Sequence, residues 1–515
     1  MNGADSLVQT LLGGGVNVCF ANPGTSEINI VAALDQAPEM RCILGLFEGV
    51  VTGAADGYAR MAEQPACTLL HLGPGLANGL ANLHNAYRAR VPIVNVVGQH
   101  ATFHLHHDTP LTSDIEAIGR PYSKWLRTSS SSSQIGRDTA EAVVGARTAP
   151  GQIATLIVPA DVAWGTGTAV ASPLAIPAPA VPSSKAIDRA AVMLRSGLPT
   201  AMLLSGKALY GQGLANAGRI AAATGARLLS PYPFTRFQRG AGIPAVDRVA
   251  YILEQAKDQL KEFRQFILVG ASAPVTYFAY PGKDSVLTPA DSDIHTLAHP
   301  QEDLIGALSA LADALSLHGA GSASQPKGEQ PSLPTGEITL QGVSAVIGAL
   351  IPENAILVEE SMTSGRGLMP ATRHSPPHDW LGNTGGSIGI ALPLAVGAAV
   401  AAPGRRVLCL TADGSGMYTL QALWTMAREG LKVTTVVFAN RSYAVLKREF
   451  SYLGIGEPGP QAKEMFEIGQ PDLDWVQLAK GMGVPGTRVT SLDAFGKALK
   501  EGFAGPGPSL IEIPL

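Results

Sequence analysis

The sequence predicts three doubly wound α/β domains built on parallel sheets, and three observations carry that reading. Short, continuous apolar runs alternate with amphipathic helical stretches along the whole chain, as expected of strands covered on both faces. The length of 515 residues suits about three domains at roughly 150 residues each. Two segments rich in Pro, Gly, Ala and Ser, at 165–184 and 316–336, are poor in bulky apolar side chains. They read as linkers and set domains at 1–165, 184–315 and 337–515.

Each element can be justified in turn. In the first domain CILGLF, CTLLHL, PIVNVVG and ATLIVP are strand-like, with an amphipathic helix over Asn78–Arg90. The run Ser129–Ser133 precedes a helical pattern from Gln134 and reads as a polar loop ending in an N-cap serine. The second domain offers TAMLLSG, ARLLSP and QFILVGA; the third offers AILVEE, RRVLCLTADG, TTVVFAN and SLIEIP. In such folds ligands bind beyond the carboxyl ends of the strands, so the loops there are expected to carry the chemistry.

Composition narrows the function classes. Charged residues make up 15% of the chain, against a usual ~25%, which suggests a surface partly covered by partner subunits. The net charge of −4 gives no basic footprint for nucleic acid. No apolar run approaches the ~20 residues of a membrane span. The start, MNGADSLVQTLL, lacks a positive n-region and a small-residue cleavage site, so a cytoplasmic oligomer is expected. Cys19, Cys42, Cys67 and Cys409 show no CxxC spacing, which argues against zinc and disulfide scaffolds.

Some motif lookalikes fail on spacing or order. Gly73-Pro-Gly75 has its next glycine at Gly79, one residue late for a dinucleotide turn, and no acidic residue follows at the required distance. Gly385-Gly-Ser387-Ile-Gly389 has the letters of a nucleophile elbow. The last histidine is His378, so no histidine follows the serine as that hydrolase order requires. A P-loop is absent.

The sharpest signal lies in RRVLCLTADGSGMY, an apolar strand ending in Ala412-Asp413-Gly414-Ser415. A second strand, TTVVFAN, ends at Asn440, 27 positions after Asp413. Neighbouring parallel strands would place a carboxylate and an amide oxygen on one rim. Hard oxygen ligands of this kind suit Mg²⁺, and the Gly414-Ser415 turn offers N–H groups to an anion.

This segment resembles the diphosphate-binding signature of thiamine diphosphate (ThDP) enzymes. CILGLFEGVVTGAADGYAR resembles the catalytic-glutamate motif of that family, with Glu48 ahead of the helix. HLGPGLANGLANLHNAYRARVPIVNVVGQ, IGRPYSKW and PGQIATLIVPADV continue the likeness, which covers nearly the whole chain. Benzoylformate decarboxylases and acetolactate-synthase-type large subunits are the members it resembles most.

The resemblance implies roles. Asp413, Asn440 and the backbone carbonyl of Ser442 would hold Mg²⁺, with Gly414, Ser415 and Tyr443 on the diphosphate. Gly386, Ser387 and Ile388 would lie along the aminopyrimidine, Ile388 forcing its fold against the thiazolium. Pro23, Gly24 and Thr25 would cover the pyrimidine from the first domain. Glu48 would activate the cofactor from a nearly dry pocket lined by Leu46, Phe47, Val50 and Val51. His71 matches a catalytic histidine of benzoylformate decarboxylases. His104, His106 and His107 resemble the paired histidines of pyruvate-type decarboxylases, with a spacing that does not match, and read equally as a metal-binding or surface loop.

Departures from the pattern are also informative. Ala412 and Ala439 replace a glycine and an asparagine. Phe278, Ala279 and Tyr280 stand where benzoylformate decarboxylases carry a second histidine, and Glu449 stands near an aromatic pocket position. The flavin-type Arg-Phe-Asp-Asp-Arg run is absent, so FAD is not expected. The resemblance implies a ThDP- and Mg²⁺-dependent decarboxylase of a 2-oxo acid. The alternatives are an acyloin-forming carboligase without FAD and a non-catalytic ThDP-binding paralogue. It further implies inter-subunit sites, a dimer as the minimal unit and commonly a tetramer.

Overall fold

The parallel plan occurs three times in the structure, a computed structural model that describes residues 1–317, 321 and 332–515. The N-terminal sheet runs in the spatial order Arg41–Leu44, Val18–Asn22, Ala66–Leu70, Ile93–Gln99, Ile153–Pro159, Trp125–Thr128, all parallel. The central sheet runs Asp247–Arg248, Arg227–Ser230, Thr200–Leu204, Gln265–Val269, Asp293–Ala298, again all parallel. The C-terminal sheet runs Gly486–Arg488, Ser509–Pro514, Val433–Ala439, Val407–Ala412, Ile356–Glu360, His378–Gly382, Arg236–Arg239. Ala66–Leu70, Ile153–Pro159 and Val433–Ala439 are buried at every position. Burial on both faces is why these strands are apolar without alternation.

Two features differ from expectation. Arg236–Arg239 leaves the central segment and pairs antiparallel with His378–Gly382 at the edge of the C-terminal sheet. Its sequence, RFQR, alternates half-buried and buried residues, as an edge strand does, and offers no apolar run to recognise. The serine run also behaves differently. Gln134, not a serine, caps the helix Ile135–Arg147 and makes no side-chain bond. Ser129 is buried instead and donates to Asp138 at 2.8 Å. The linker expected over 316–336 falls largely outside the described residues.

The first and third domains share one core. Helices Glu48–Ala62 and Ala391–Ala401 cross at small residues: a Cβ on Gly57 would lie 2.1 Å from the Leu394 carbonyl oxygen, and one on Gly397 1.8 Å from that of Ala54. Arg60 then ties all three domains. It meets the buried Asp56 in two bonds of 2.7 Å and donates to the carbonyls of Thr235 at 3.0 Å and Gly382 at 2.7 Å.

Candidate active site

Strands Val407–Ala412 and Val433–Ala439 are parallel neighbours with Ala412 opposite Phe438, so their carboxyl ends deliver Asp413 and Asn440 to one rim. Asp413 is buried. Its Oδ1 accepts the Gly414 N–H at 2.9 Å and its Oδ2 the Arg441 N–H at 2.6 Å. Burial pushes this carboxyl up, while the N–H groups of Arg441 and Gly414 pull it down. Asn440 Oδ1 accepts the Ser442 N–H at 3.0 Å, and Arg441 between them has a φ of 55°. A Cβ on Gly414 would lie 2.6 Å from the Tyr443 ring, so this close approach requires glycine. The rim thus gathers Asp413, Gly414, Asn440, Ser442 and Tyr443, with Ser415 buried in the turn behind. A buried carboxylate held by N–H groups rather than a side-chain cation, next to amide and carbonyl oxygens, fits a hard divalent ion carrying an oxyanion.

The loop carrying Gly386, Ser387 and Ile388 is held by residues that sequence reasoning missed. Asn383 accepts the Gly386 N–H at 2.8 Å and donates to the Ser387 carbonyl at 3.0 Å. From the first domain, Asn85 clasps the same residue, donating to the Ser387 carbonyl at 2.9 Å and accepting its N–H at 3.2 Å. Glu360, at the end of Ile356–Glu360, is buried and accepts the N–H groups of Gly389, Ile390 and Ala391 at 3.1, 3.3 and 3.1 Å. Burial raises its carboxyl to about 7 against the pull of those bonds. Gly386 takes a φ of 77°, and a Cβ there would strike the Tyr277 hydroxyl. Ile388 remains half-buried beside the buried Ile390, so it is not ordinary core. No local motif betrays Asn85, Asn383 or Glu360, because their partners are distant in the chain.

The first domain supplies a second set. Pro23 and Gly24 follow the strand Val18–Asn22, and Thr25 opens a short turn that ends at Glu27. The Gly24 N–H donates to Glu27 Oε2 at 2.8 Å, and the same oxygen meets His71 Nδ1 at 2.7 Å. Glu27 is fully buried, and its Oε1 has no partner. A Cβ on Gly24 would overlap the His71 ring. His71 therefore stands against the Gly24 turn, paired with a carboxylate that the sequence did not single out. His100 is close enough for His71 and His104 to help burial lower its pKa. His104 packs against His100 with ring centroids 5.6 Å apart. His106 and His107 face solvent, and no group of three or more His, Cys, Asp or Glu side chains placed to hold a metal occurs among the described residues.

Glu48 opens the helix Glu48–Ala62. Its Oε2 accepts from Asn78 Nδ2 at 3.0 Å. Val50 and Val51 are buried, but Leu46 is 45% exposed and Glu48 is only part-buried. The dry pocket expected around Glu48 is thus incomplete within one chain. Asn78 and Asn85 lie on one helix, Leu72–Ala89, where seven residues span roughly 10 Å. Glu48 and the Ser387 loop of the same chain are held at those two separate points. Two of the departures from the family pattern meet directly: the Tyr280 hydroxyl donates to Glu449 at 3.0 Å.

Comparison with known proteins gives the family of the chain. The family model for "Thiamine pyrophosphate enzyme, N-terminal TPP binding domain" matches residues 1–118, and that for the C-terminal TPP binding domain matches residues 364–513. The chain is 52% identical to a Mycobacterium tuberculosis protein provisionally named acetolactate synthase large subunit IlvX, over 100% of this chain and 99% of that one. It is 28% identical to benzoylformate decarboxylase of Pseudomonas aeruginosa, covering 97% and 96% of the two chains. In fold it resembles the 4-hydroxybenzoylformate decarboxylase of Rhodococcus jostii with a TM-score of 0.86, at 22% identity over 99% and 98% of the chains. No helix among the described residues is long and apolar enough to cross a membrane. With both halves of the family pattern present and a relative matched from end to end, the chain belongs to the thiamine pyrophosphate enzymes.

Proposed function

We propose that the chain is a ThDP- and Mg²⁺-dependent, non-oxidative decarboxylase that converts a 2-oxo acid to carbon dioxide and an aldehyde. The observation that carries this reading is the Glu27–His71 pair at 2.7 Å beside the Gly24 turn. With Nδ1 engaged by the carboxyl, Nε2 is the ring nitrogen left to exchange protons with a substrate. Asp413, Asn440 and the Ser442 carbonyl hold Mg²⁺, and Gly414, Ser415 and Tyr443 receive the diphosphate. Pro23, Gly24, Thr25, Gly386, Ser387 and Ile388 flank the pyrimidine. When bound, ThDP would supply a carbon nucleophile and an electron sink for decarboxylation. Glu48 holds and exchanges the proton at pyrimidine N1′. His71 delivers the proton that releases the aldehyde.

The separate anchoring of Glu48 and the Ser387 loop supports a site shared between two copies. In this reading Glu48 of one chain faces the Asp413 rim of another, and closing that interface dries the half-open pocket. The dimer is then the smallest active form, and two dimers pair as a cytoplasmic tetramer. A second reading, an acyloin-forming carboligase, is favoured by the acetolactate synthase name of the 52% identical relative. The test incubates the protein with ThDP, Mg²⁺ and a panel of 2-oxo acids and follows products by NMR. Aldehyde with carbon dioxide supports the decarboxylase; acyloin without aldehyde replaces it with the carboligase.

A further inference from the structure

Beyond the cofactor site, a cavity of about 450 Å³ lies between the central and C-terminal domains. Its wall carries Arg239, Arg248, Arg366, Arg373 and Arg448 together with Tyr232 and Tyr251. The acidic groups of the same wall are committed elsewhere. Asp247 pairs with Arg227 at 2.7 Å. Glu359 accepts from the Ser361 N–H and hydroxyl at 3.0 and 2.8 Å, and Glu360 is taken up by the N–H groups of 389–391.

Arg239 is the telling member. It is 8% exposed, lies over the Trp380 ring at 5.2 Å and donates from Nη1 to the Met369 sulfur and from Nη2 to the Met369 carbonyl at 2.6 Å, yet its Nε has no hydrogen-bond partner. No carboxylate forms an ion pair with it among the described residues. Burial, with Arg248 and Arg373 nearby, pushes its pKa down to about 9. A buried guanidinium among like charges with an orphaned donor is costly unless an anion joins it. The aromatic side is prepared as well. Arg248 lies over the Tyr232 ring at 5.0 Å and Arg448 over Tyr251 at 5.2 Å, while the two rings meet edge to face at 5.4 Å.

We propose that this cleft binds a small oxyanion-bearing molecule, its carboxylate or phosphate held by Arg239, Arg248 and Arg373 and its planar part laid on Tyr232 and Tyr251. Guanidinium forks match such oxyanions in two parallel bonds. Asn383 lines the cleft and also holds Gly386 and Ser387, so the site shares a wall with that loop. The anion comes either from the far end of the 2-oxo acid substrate or from a separate ligand.

The test uses full-length protein loaded with ThDP and Mg²⁺, titrated calorimetrically with phthalate and with phenyl phosphate. Saturable binding at one equivalent per chain is expected, weakened about tenfold or more in Arg248→Gln and in Arg373→Gln. In the wild-type protein, the bound probe should also protect Arg248 and Arg373 from phenylglyoxal, as read by mass spectrometry. Competition between probe and substrate in turnover assigns the anion to the substrate; binding with unchanged KM assigns it to a separate ligand. Absence of saturable binding by either probe, or binding that spares neither arginine from modification, would overturn the proposal.

Discussion

The two halves of the site are built differently within one chain. At the C-terminal rim Asp413 is buried, fixed by two N–H groups and set beside a glycine cradle, so its position is fixed within one chain. At the N-terminal edge Glu48 is part-buried and rests on an asparagine, with Leu46 exposed beside it. On the proposed reading, the difference implies that diphosphate capture belongs to the single chain, while proton chemistry at Glu48 calls for a second surface. A carboxyl that works in a dry pocket would, on that reading, be dried by association.

The strongest way to break this contrast is Glu48→Gln. It should lower kcat by roughly a hundred- to ten-thousand-fold while calorimetric ThDP binding persists, because the rim is untouched. Loss of ThDP binding in that variant would mean that the two halves are not independent. Arg60→Ala attacks the frame beneath both halves. It strands the buried Asp56 and removes ties to Thr235 and Gly382, so denaturant unfolding should register a loss of about 3–5 kcal/mol.

Glu360→Gln sharpens the account of the rim side. Burial holds the folded-state pKa near 7, above the ordinary 4.5, so the folded chain binds this proton more tightly than the unfolded one. Its stabilising contribution is complete below about pH 4.5 and is lost as pH rises to about 7. The variant should flatten the pH dependence of unfolding free energy across that window by about 3 kcal/mol. An unchanged slope would show that Glu360 carries no proton there. The smallest effect is expected at His71: His71→Gln should slow aldehyde release by about a hundredfold, the low end of acid–base effects, and raise the share of acyloin seen by NMR. An unchanged product ratio would remove His71 from the proton-delivery role.

The fold was largely legible because parallel strands buried on both faces must be apolar throughout, as in PIVNVVG and TTVVFAN. Arg236–Arg239 escaped because an edge strand alternates and its pairing partner lies about 140 positions away in sequence. The rim was equally legible, since strand-end residues such as Asp413 and Asn440 are placed by local geometry alone. Glu27, Asn85, Asn383 and Glu360 were not, because each acts through a contact that only the tertiary fold creates. Glu27 shows this most clearly. In sequence it is a glutamate in a polar turn; in the fold it is a buried partner of His71.

The central claim is that each site takes Glu48 from one copy and the Asp413 rim from another. Co-expressing Glu48→Gln and Asp413→Ala chains tests it directly, since each is inactive alone. In a two-fold dimer with shared sites, the mixed dimer regains one intact site, and random pairing restores roughly a quarter of wild-type activity. Mixtures that stay at the background of the separate variants would contradict the account and place both halves of each site in one chain.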